Sequence, residues 1–260
     1  MKKNEVKERL MRGETVLGAF QGYDAPEITE ILGYAGFDFV VLDAEHGGLY
    51  PGLLEGQIRA AECGDTAAFV RVPSFQRQDI LKALDRGASG ILVPMVNTRA
   101  DAEQVISHAL YTPKGNRGLT FSSRAAHYNV RVDQELHLRS SNDELLIMVQ
   151  IETMEAVENL DEILAVEDVD LVFIGPSDLS QSMGMPGQTG NPEVQKTIRL
   201  IIEKAHKAGK KTGIFTSTVE ATKKWMDEGV QLILAGSQGI IAKALSNYVD
   251  DVRESVKRGK

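Results

Sequence analysis

The chain has 260 residues, with 29 Lys and Arg against 37 Asp and Glu, a formal charge of −8, and one cysteine, Cys63. A chain of this length buries roughly 70 to 75% of its extended surface as one large domain, so it needs neither disulfides nor a structural metal to fold. The acidic balance argues against a nucleic-acid partner, and a single cysteine excludes an intrachain disulfide or a thiolate cluster and fits a reducing, cytoplasmic setting.

The N-terminal stretch MKKNEVKERLMRGE is charged and helix-like, with no apolar core of a secretory signal. No run approaches the roughly 18 apolar residues that a spanning helix requires, so no membrane association is expected. Short apolar runs then recur along the chain, at 17–22 (LGAFQG), 39–44 (FVVLDA), 67–72 (AAFVRV), 90–95 (GILVPM), 145–152 (LLIMVQIE), 170–175 (DLVFIG), 211–215 (KTGIF) and 232–236 (LILAG). Each is followed by turn residues and a segment of helical periodicity: 26–35, 53–63, 78–86, 99–111, 153–164, 192–208, 219–228 and a terminal 239–257. Continuous rather than alternating apolar strands are what a parallel sheet covered by helices requires. Strand–helix units in this number predict a single (β/α)8 TIM barrel over residues 1–260. The GFD of 36–38, the RGAS of 86–89 and the EGVQ of 228–231 read as helix stops followed by strand entry. Residues 112–144 hold no strand signal, and predict a long loop or short helical excursion above the barrel. A doubly wound open sheet is the alternative, but its glycine-rich phosphate loop is missing: no GxGxxG or GxxxxGK[ST] is present.

The polar residues gather where the runs end. The second run ends in Asp43, Glu45 and His46, the third in Arg71, the fifth in Gln150 and Glu152, and the sixth is followed by Gly175, Pro176, Ser177 and Asp178. In a barrel the C-terminal ends of the strands converge on one mouth. Glu152 and Asp178 read either as hard oxygen ligands for a divalent cation or as a first-turn acid and a helix cap. His46 is a general base or an ordinary loop histidine; carboxylates at 43 and 45 favour the base, since they fix a tautomer and raise proton affinity. Arg71 either pairs with an internal acid or holds a developing oxyanion. Gly175 and Ser177 can offer backbone N–H groups to a carboxylate. His108, His127, His137 and His206 form no metal-like cluster; His108 and His206 fall in helical segments, and His127 is a candidate rim or neighbouring-subunit contact. No run carries an interior lysine, Lys211 standing only at the entrance of the seventh, so a Schiff-base aldolase is disfavoured. Neither a GxSxG elbow nor a base beside Cys63 supports a hydrolase.

The segments AGFDFVVLDAEHG (35–47), VRVP (70–73), YTPKGNRG (111–118), VQIET (149–153) and FIGPSDLSQSMGMPG (173–187) resemble, in this order, the HpcH/HpaI family of class II, metal-dependent pyruvate aldolases. The resemblance extends over nearly the whole chain, including NPEV at 191–194 and GIF at 213–215. It implies reversible cleavage of a 2-keto-4-hydroxy or 2-keto-3-deoxy acid to pyruvate and an aldehyde, with Mg²⁺, Mn²⁺ or Co²⁺ as cofactor. By the same resemblance His46 is the acid/base, oriented by Asp43; Glu152 and Asp178 bind the ion; Arg71 stabilises the enolate; and Gln150 lines the metal site. Glu45 supports a water on the ion, and the backbone at Gly175 and Ser177 receives the pyruvyl carboxylate. The resemblance also implies a homo-oligomer, a hexamer of dimers that exchange the helix after Gly239, with the 112–130 stretch reaching a neighbouring site. Departures fall at AFQGYDAPE in the first run, at Phe215 and at Gln238. Phe20 and Phe215 either narrow the aldehyde side of the pocket, making them candidate specificity residues, or pack into the barrel. A relative that condenses oxaloacetate with acetyl-CoA on the same enolate chemistry is the alternative activity.

Overall fold

The computed structural model describes residues 3–49 and 51–258. After a short helix α1 (Glu5–Met11), eight strands follow: β1 (Val16–Gln21), β2 (Phe39–Asp43), β3 (Ala67–Arg71), β4 (Gly90–Val93), β5 (Leu146–Ile151), β6 (Leu171–Ile174), β7 (Lys211–Phe215) and β8 (Leu232–Gly236). All neighbours pair in parallel and β1 pairs β8, closing the sheet into a barrel in sequence order. The crossovers are α2 (Pro26–Tyr34), α3 (Pro51–Cys63), α4 (Arg77–Asp85), α5 (Arg99–Ala109), α6 (Gln134–Glu144), α7 (Met154–Glu158), α8 (Leu160–Leu164), α9 (Pro176–Ser182), α10 (Pro192–Lys207), α11 (Val219–Asp227) and α12 (Ser237–Arg258). The expected (β/α)8 barrel is therefore the fold. Its helix stops fall where the turn glycines lie: Gly36, Gly87 and Gly229 have φ of 96°, 99° and 89°, a backbone that a residue with a Cβ resists.

The core has two parts, as the two faces of a barrel strand demand. One lies between strands and helices; the other fills the barrel interior with Phe20, Phe39, Val41, Phe69, Leu92, Met148, Phe173 and Leu234 among others. Val6 and Leu10 of α1 join the inner cluster from below, so α1 stoppers the N-terminal end of the barrel. Alternation along each strand then decides which residues reach the opposite mouth. Phe39 and Val41 point inward, which makes Asp43 the next inward residue; Phe69 is followed by Arg71, Leu146 and Met148 by Gln150 and Glu152, and Leu171 and Phe173 by Gly175. The polar set continues the columns of the inner core.

Two expectations are corrected here. The segment 153–164 is not one helix: it breaks at Asn159, whose side-chain Nδ2 donates to the Asn97 carbonyl at 3.0 Å. The 112–144 excursion has no strand, as expected, but it does not lie above the barrel. It leaves from the C-terminal end of α5, the end remote from the barrel mouth, and wraps the outside of α3 and α4. Arg117 pairs with Asp85 at 3.1 Å, Arg124 with Glu62 at 2.6 Å and with the Arg86 carbonyl at 2.9 Å, and Tyr128 with Glu55 at 3.1 Å. His127, exposed in a 3-10 segment (Arg124–Asn129), lies beside Tyr128, which meets Glu55 on the outside of α3. The physical reason is topological: a helix-to-strand connection starts at the bottom of a barrel, whereas the mouth is built by strand-to-helix connections.

Candidate active site

The β2–β3 register sets Asp43 opposite Arg71. Their side chains form a two-toothed ion pair, with Arg71 Nε donating to Asp43 Oδ1 at 2.9 Å and Nη2 donating to Oδ2 at 2.7 Å. Asp43 Oδ1 also accepts the backbone N–H groups of Glu45 at 3.1 Å and His46 at 3.2 Å. Asp43 thus holds Arg71 and the backbone of the His46 turn, while the imidazole faces Glu45, with Nε2 3.8 Å from Glu45 Oε2. Arg71 Nη1 lies 3.2 Å from the same Glu45 oxygen, and the guanidinium sits 4.5 Å above the Phe20 ring. The imidazole itself is 64% exposed and free to meet a ligand.

Across the mouth, Glu152 follows β5 and is 3% exposed. Its Oε1 accepts from the Met95 N–H at 2.8 Å and its Oε2 from the Gln150 side-chain amide. Gly175, directly after β6, leaves this carboxylate its space: a Cβ there would stand 3.0 Å from Glu152 Oε2 and from Gln150 Nε2. A correction concerns the Gly175 N–H, which donates to the Ile151 carbonyl at 3.3 Å and extends the β5–β6 ladder. It is not available to a substrate carboxylate, and the residue matters through its missing side chain. Ser177 lies exposed in the first turn of α9, where a helix leaves N–H groups unpaired. Asp178 is exposed in the same turn.

Electrostatics tie these groups together. Burial pushes the Glu152 carboxyl above its ordinary range against the pull of the Met95 and Gln150 hydrogen bonds, and the charge of Asp178 pushes it further. Burial also raises Glu45; Arg71 and His46 oppose the rise, and Glu152 and Asp43 add to it. For Asp43 burial acts upward as well, but the hydrogen bonds and charge of Arg71 and the two backbone donors outweigh it, and its carboxyl lies below the usual range.

These residues fit a divalent cation on their chemistry. Glu152 is a buried carboxylate whose two hydrogen-bond donors are neutral. Gln150 Oε1 is buried with no hydrogen-bond partner, and Glu45 Oε2 is buried with only the Arg71 ion pair and the His46 ring near it. Among the described residues no three His, Cys, Asp or Glu side chains form a ready metal cage. An ion held by Glu152 and Asp178 alone would keep positions for water or a chelating substrate, which is how Mg²⁺ is commonly bound.

The remaining candidates lie elsewhere. Phe20 and Phe215 are inside the barrel, 6.1 Å apart between ring centroids, and Phe20 meets Phe173 edge-on at 6.2 Å. Both rings pack in the barrel interior, and Phe20 also touches Arg71 at the site. His108 meets the Phe75 carbonyl, His206 meets Thr212, and His137 is buried beside Tyr111 and Phe121. Met95 is a site residue that sequence reasoning missed, because its contribution is a backbone N–H that no residue type announces.

A family model described as HpcH/HpaI aldolase/citrate lyase matches residues 17–243. Over 252 residues the chain is 34% identical to a 5-keto-4-deoxy-D-glucarate aldolase of Escherichia coli O157:H7 (strain EC4115 / EHEC), covering 96% of this chain and 97% of that protein. Its fold matches an HpcH/HpaI aldolase from Desulfitobacterium hafniense DCB-2 with a TM-score of 0.89 at 31% identity, over 95% of this chain and 96% of that one. It also matches the citrate synthase SbnG with a TM-score of 0.88 at 32% identity, over 96% and 98% of the two chains.

Proposed function

Because the chain belongs to the HpcH/HpaI aldolase/citrate lyase family and is a carbon–carbon lyase, we propose that it cleaves a 2-keto-4-hydroxy or 2-keto-3-deoxy acid reversibly to pyruvate and an aldehyde, with a divalent cation at Glu152 and Asp178. The observation that carries this reading is Glu152: a carboxylate sunk at the barrel mouth, with only neutral hydrogen-bond donors on it and further acids beside it, suits a divalent cation. The sugar-derived acid named for the E. coli relative supports a keto acid of that class as substrate.

When bound, Mg²⁺, Mn²⁺ or Co²⁺ supplies positive charge beside the oxygen on which the enolate charge develops. The chain's own groups do the rest. His46, exposed above Glu45, takes the proton of the C4 hydroxyl as the C3–C4 bond breaks and the aldehyde leaves. Glu45 stabilises the imidazolium that results. Arg71, locked by Asp43, lowers the energy of the enolate; one such contact is worth about 3 to 4 kcal/mol at a developing oxyanion. The Ser177 backbone N–H orients the pyruvyl carboxylate, and Gly175 leaves room for the Glu152 carboxylate beside it.

The working assembly in this reading is a cytoplasmic homo-oligomer, a hexamer of dimers exchanging C-terminal helices. Support comes from α12, where Leu245 and Tyr248 are 64% and 71% exposed, and from Leu17 of β1, an outward strand residue 40% exposed where a barrel normally has a helix. Among the described residues no helix is long and apolar enough to cross a membrane.

The test incubates the purified protein with Mg²⁺, Mn²⁺ or Co²⁺ and a panel of 2-keto-4-hydroxy acids and measures pyruvate, with an oxaloacetate and acetyl-CoA reaction in parallel. Pyruvate that appears with metal and stops with chelator is expected. Pyruvate formation indifferent to chelator, or thiol release from acetyl-CoA with no pyruvate from any hydroxy-keto acid, overturns the reading; the second outcome would align the chain with the citrate synthase it resembles.

A further inference from the structure

Met95 brings no side-chain chemistry to the reaction, yet its backbone is the unusual one at the mouth. Its φ is 55°, in the left-handed region that residues with a Cβ seldom occupy. The other described non-glycine residues with positive φ follow α3 or lie in the 127–131 stretch on the barrel flank. Met95 alone stands beyond the C-terminal end of a strand.

The loop around it imposes this conformation. Val96 is fully buried. The Asn97 N–H donates to Asp101 at 3.0 Å, its carbonyl accepts from Asn159 at 3.0 Å, and its side chain accepts from Thr153 at 2.5 Å. Thr98 and Asp101 then close a capping box on α5. A strained residue persists where its surroundings over-determine it. The Met95 side chain is 48% exposed, so its own packing does not explain the conformation. What the left-handed backbone delivers is one contact, the N–H donated to Glu152 Oε1 at 2.8 Å, on the carboxylate whose other oxygen Gln150 holds.

We propose that Met95 is a positioning residue: its left-handed backbone keeps its N–H on Glu152 Oε1 and thereby sets the rotation in which that carboxylate meets the divalent cation. The inference rests on the reading of Glu152 as a metal ligand. It separates the backbone of Met95 from its thioether, because glycine adopts this φ freely, alanine with difficulty and a β-branched residue least readily.

The test is a calorimetric Mn²⁺ titration of the metal-free wild type, Met95→Gly, Met95→Ala, Met95→Ile and Glu152→Ala, with circular dichroism and melting curves as the check on folding. Met95→Gly should bind within about twofold of wild type. Met95→Ile should bind at least about tenfold more weakly, the usual loss when a group supporting a ligand is disturbed, and Met95→Ala should fall between, which keeps the comparison available if the isoleucine variant does not fold. Equal weakening in the glycine and alanine variants assigns the effect to the lost thioether and overturns the inference. So does wild-type affinity in all three Met95 variants while Glu152→Ala fails to bind, an outcome that leaves the metal reading standing. Wild-type affinity in Glu152→Ala overturns the metal reading itself.

Discussion

Asp43 and Arg71 are partners twice over, once as paired positions in the β2–β3 register and again as side chains joined by hydrogen bonds of 2.9 and 2.7 Å. The same carboxylate takes the backbone N–H groups of Glu45 and His46. One side chain therefore aligns both Arg71 and the turn that carries His46. Each side chain of the pair is only 10% exposed. Asp43→Ala leaves the guanidinium buried with Glu45 as its remaining partner, and should lower unfolding stability by about 3 kcal/mol together with turnover. Urea unfolding curves check it; a loss under about 1 kcal/mol would mean that the pair behaves as a surface contact.

The pH dependence of that contribution follows from the direction of the Asp43 shift. Burial alone would raise this carboxyl, but Arg71 and the two N–H donors bring it below its ordinary value. A depressed folded value means that the unfolded chain binds the proton more readily, so the stability is present above the unfolded pKa of about 3.9 and is lost as pH falls through the lower folded value. The wild type should then lose its advantage over Asp43→Asn progressively below about pH 5. Urea midpoints for both proteins from neutral to acid pH give the difference, and a gap that stays constant or widens on acidification contradicts the assignment.

His46→Ala separates proton removal from enolate stabilisation. Cleavage of a hydroxy-keto acid needs the hydroxyl proton taken and should fall by about 10²- to 10⁴-fold, whereas oxaloacetate decarboxylation has no such proton and should fall far less. Steady-state rates on both substrates decide the matter. Equal losses would remove His46 from the role of base.

Gly175→Ala tests the space beside Glu152. The added Cβ would stand 3.0 Å from Glu152 Oε2 and 3.1 Å from Glu152 Cβ, so the carboxylate must move. Mn²⁺ affinity should drop by about tenfold or more while the far-ultraviolet circular dichroism is unchanged. Retained affinity would show that the Glu152 position is not critical to within a few tenths of an ångström.

Phe20 joins the inner core to the site. Its ring is buried against Phe173 and Phe215 and lies beneath the Arg71 guanidinium at 4.5 Å. Phe20→Ala should cost about 3 to 5 kcal/mol by opening a cavity, and Phe20→Leu much less. If kcat falls in the alanine variant and recovers in the leucine variant, the ring acts as the floor of Arg71. A change in aldehyde preference with unchanged stability would instead make Phe20 a pocket wall.

Periodicity made most of the architecture legible. Eight apolar runs without alternation required a sheet covered on both faces, and the helices between them required a parallel one. Two-residue alternation along a strand is also local, so once Phe39 and Val41 face inward, Asp43 must as well; the same step places Arg71, Gln150, Glu152 and Gly175. The path of the 112–144 excursion is not legible in the same way, because its length is visible in the sequence and its starting point, the foot of the barrel, is not.

What the sequence determined by itself is the barrel, the family resemblance and the set of residues that meet at its mouth, since each follows from short-range pattern repeated along the chain. Which of those residues touch was decided only by tertiary structure: that Asp43 grips Arg71 and not the imidazole, that the Gly175 N–H belongs to the ladder, and that a methionine backbone holds Glu152. Strand register, the stagger of barrel closure and a single left-handed residue set distances of 2.7 to 3.3 Å between groups many positions apart. A hydrogen bond depends on those tenths of an ångström, and no local pattern encodes them.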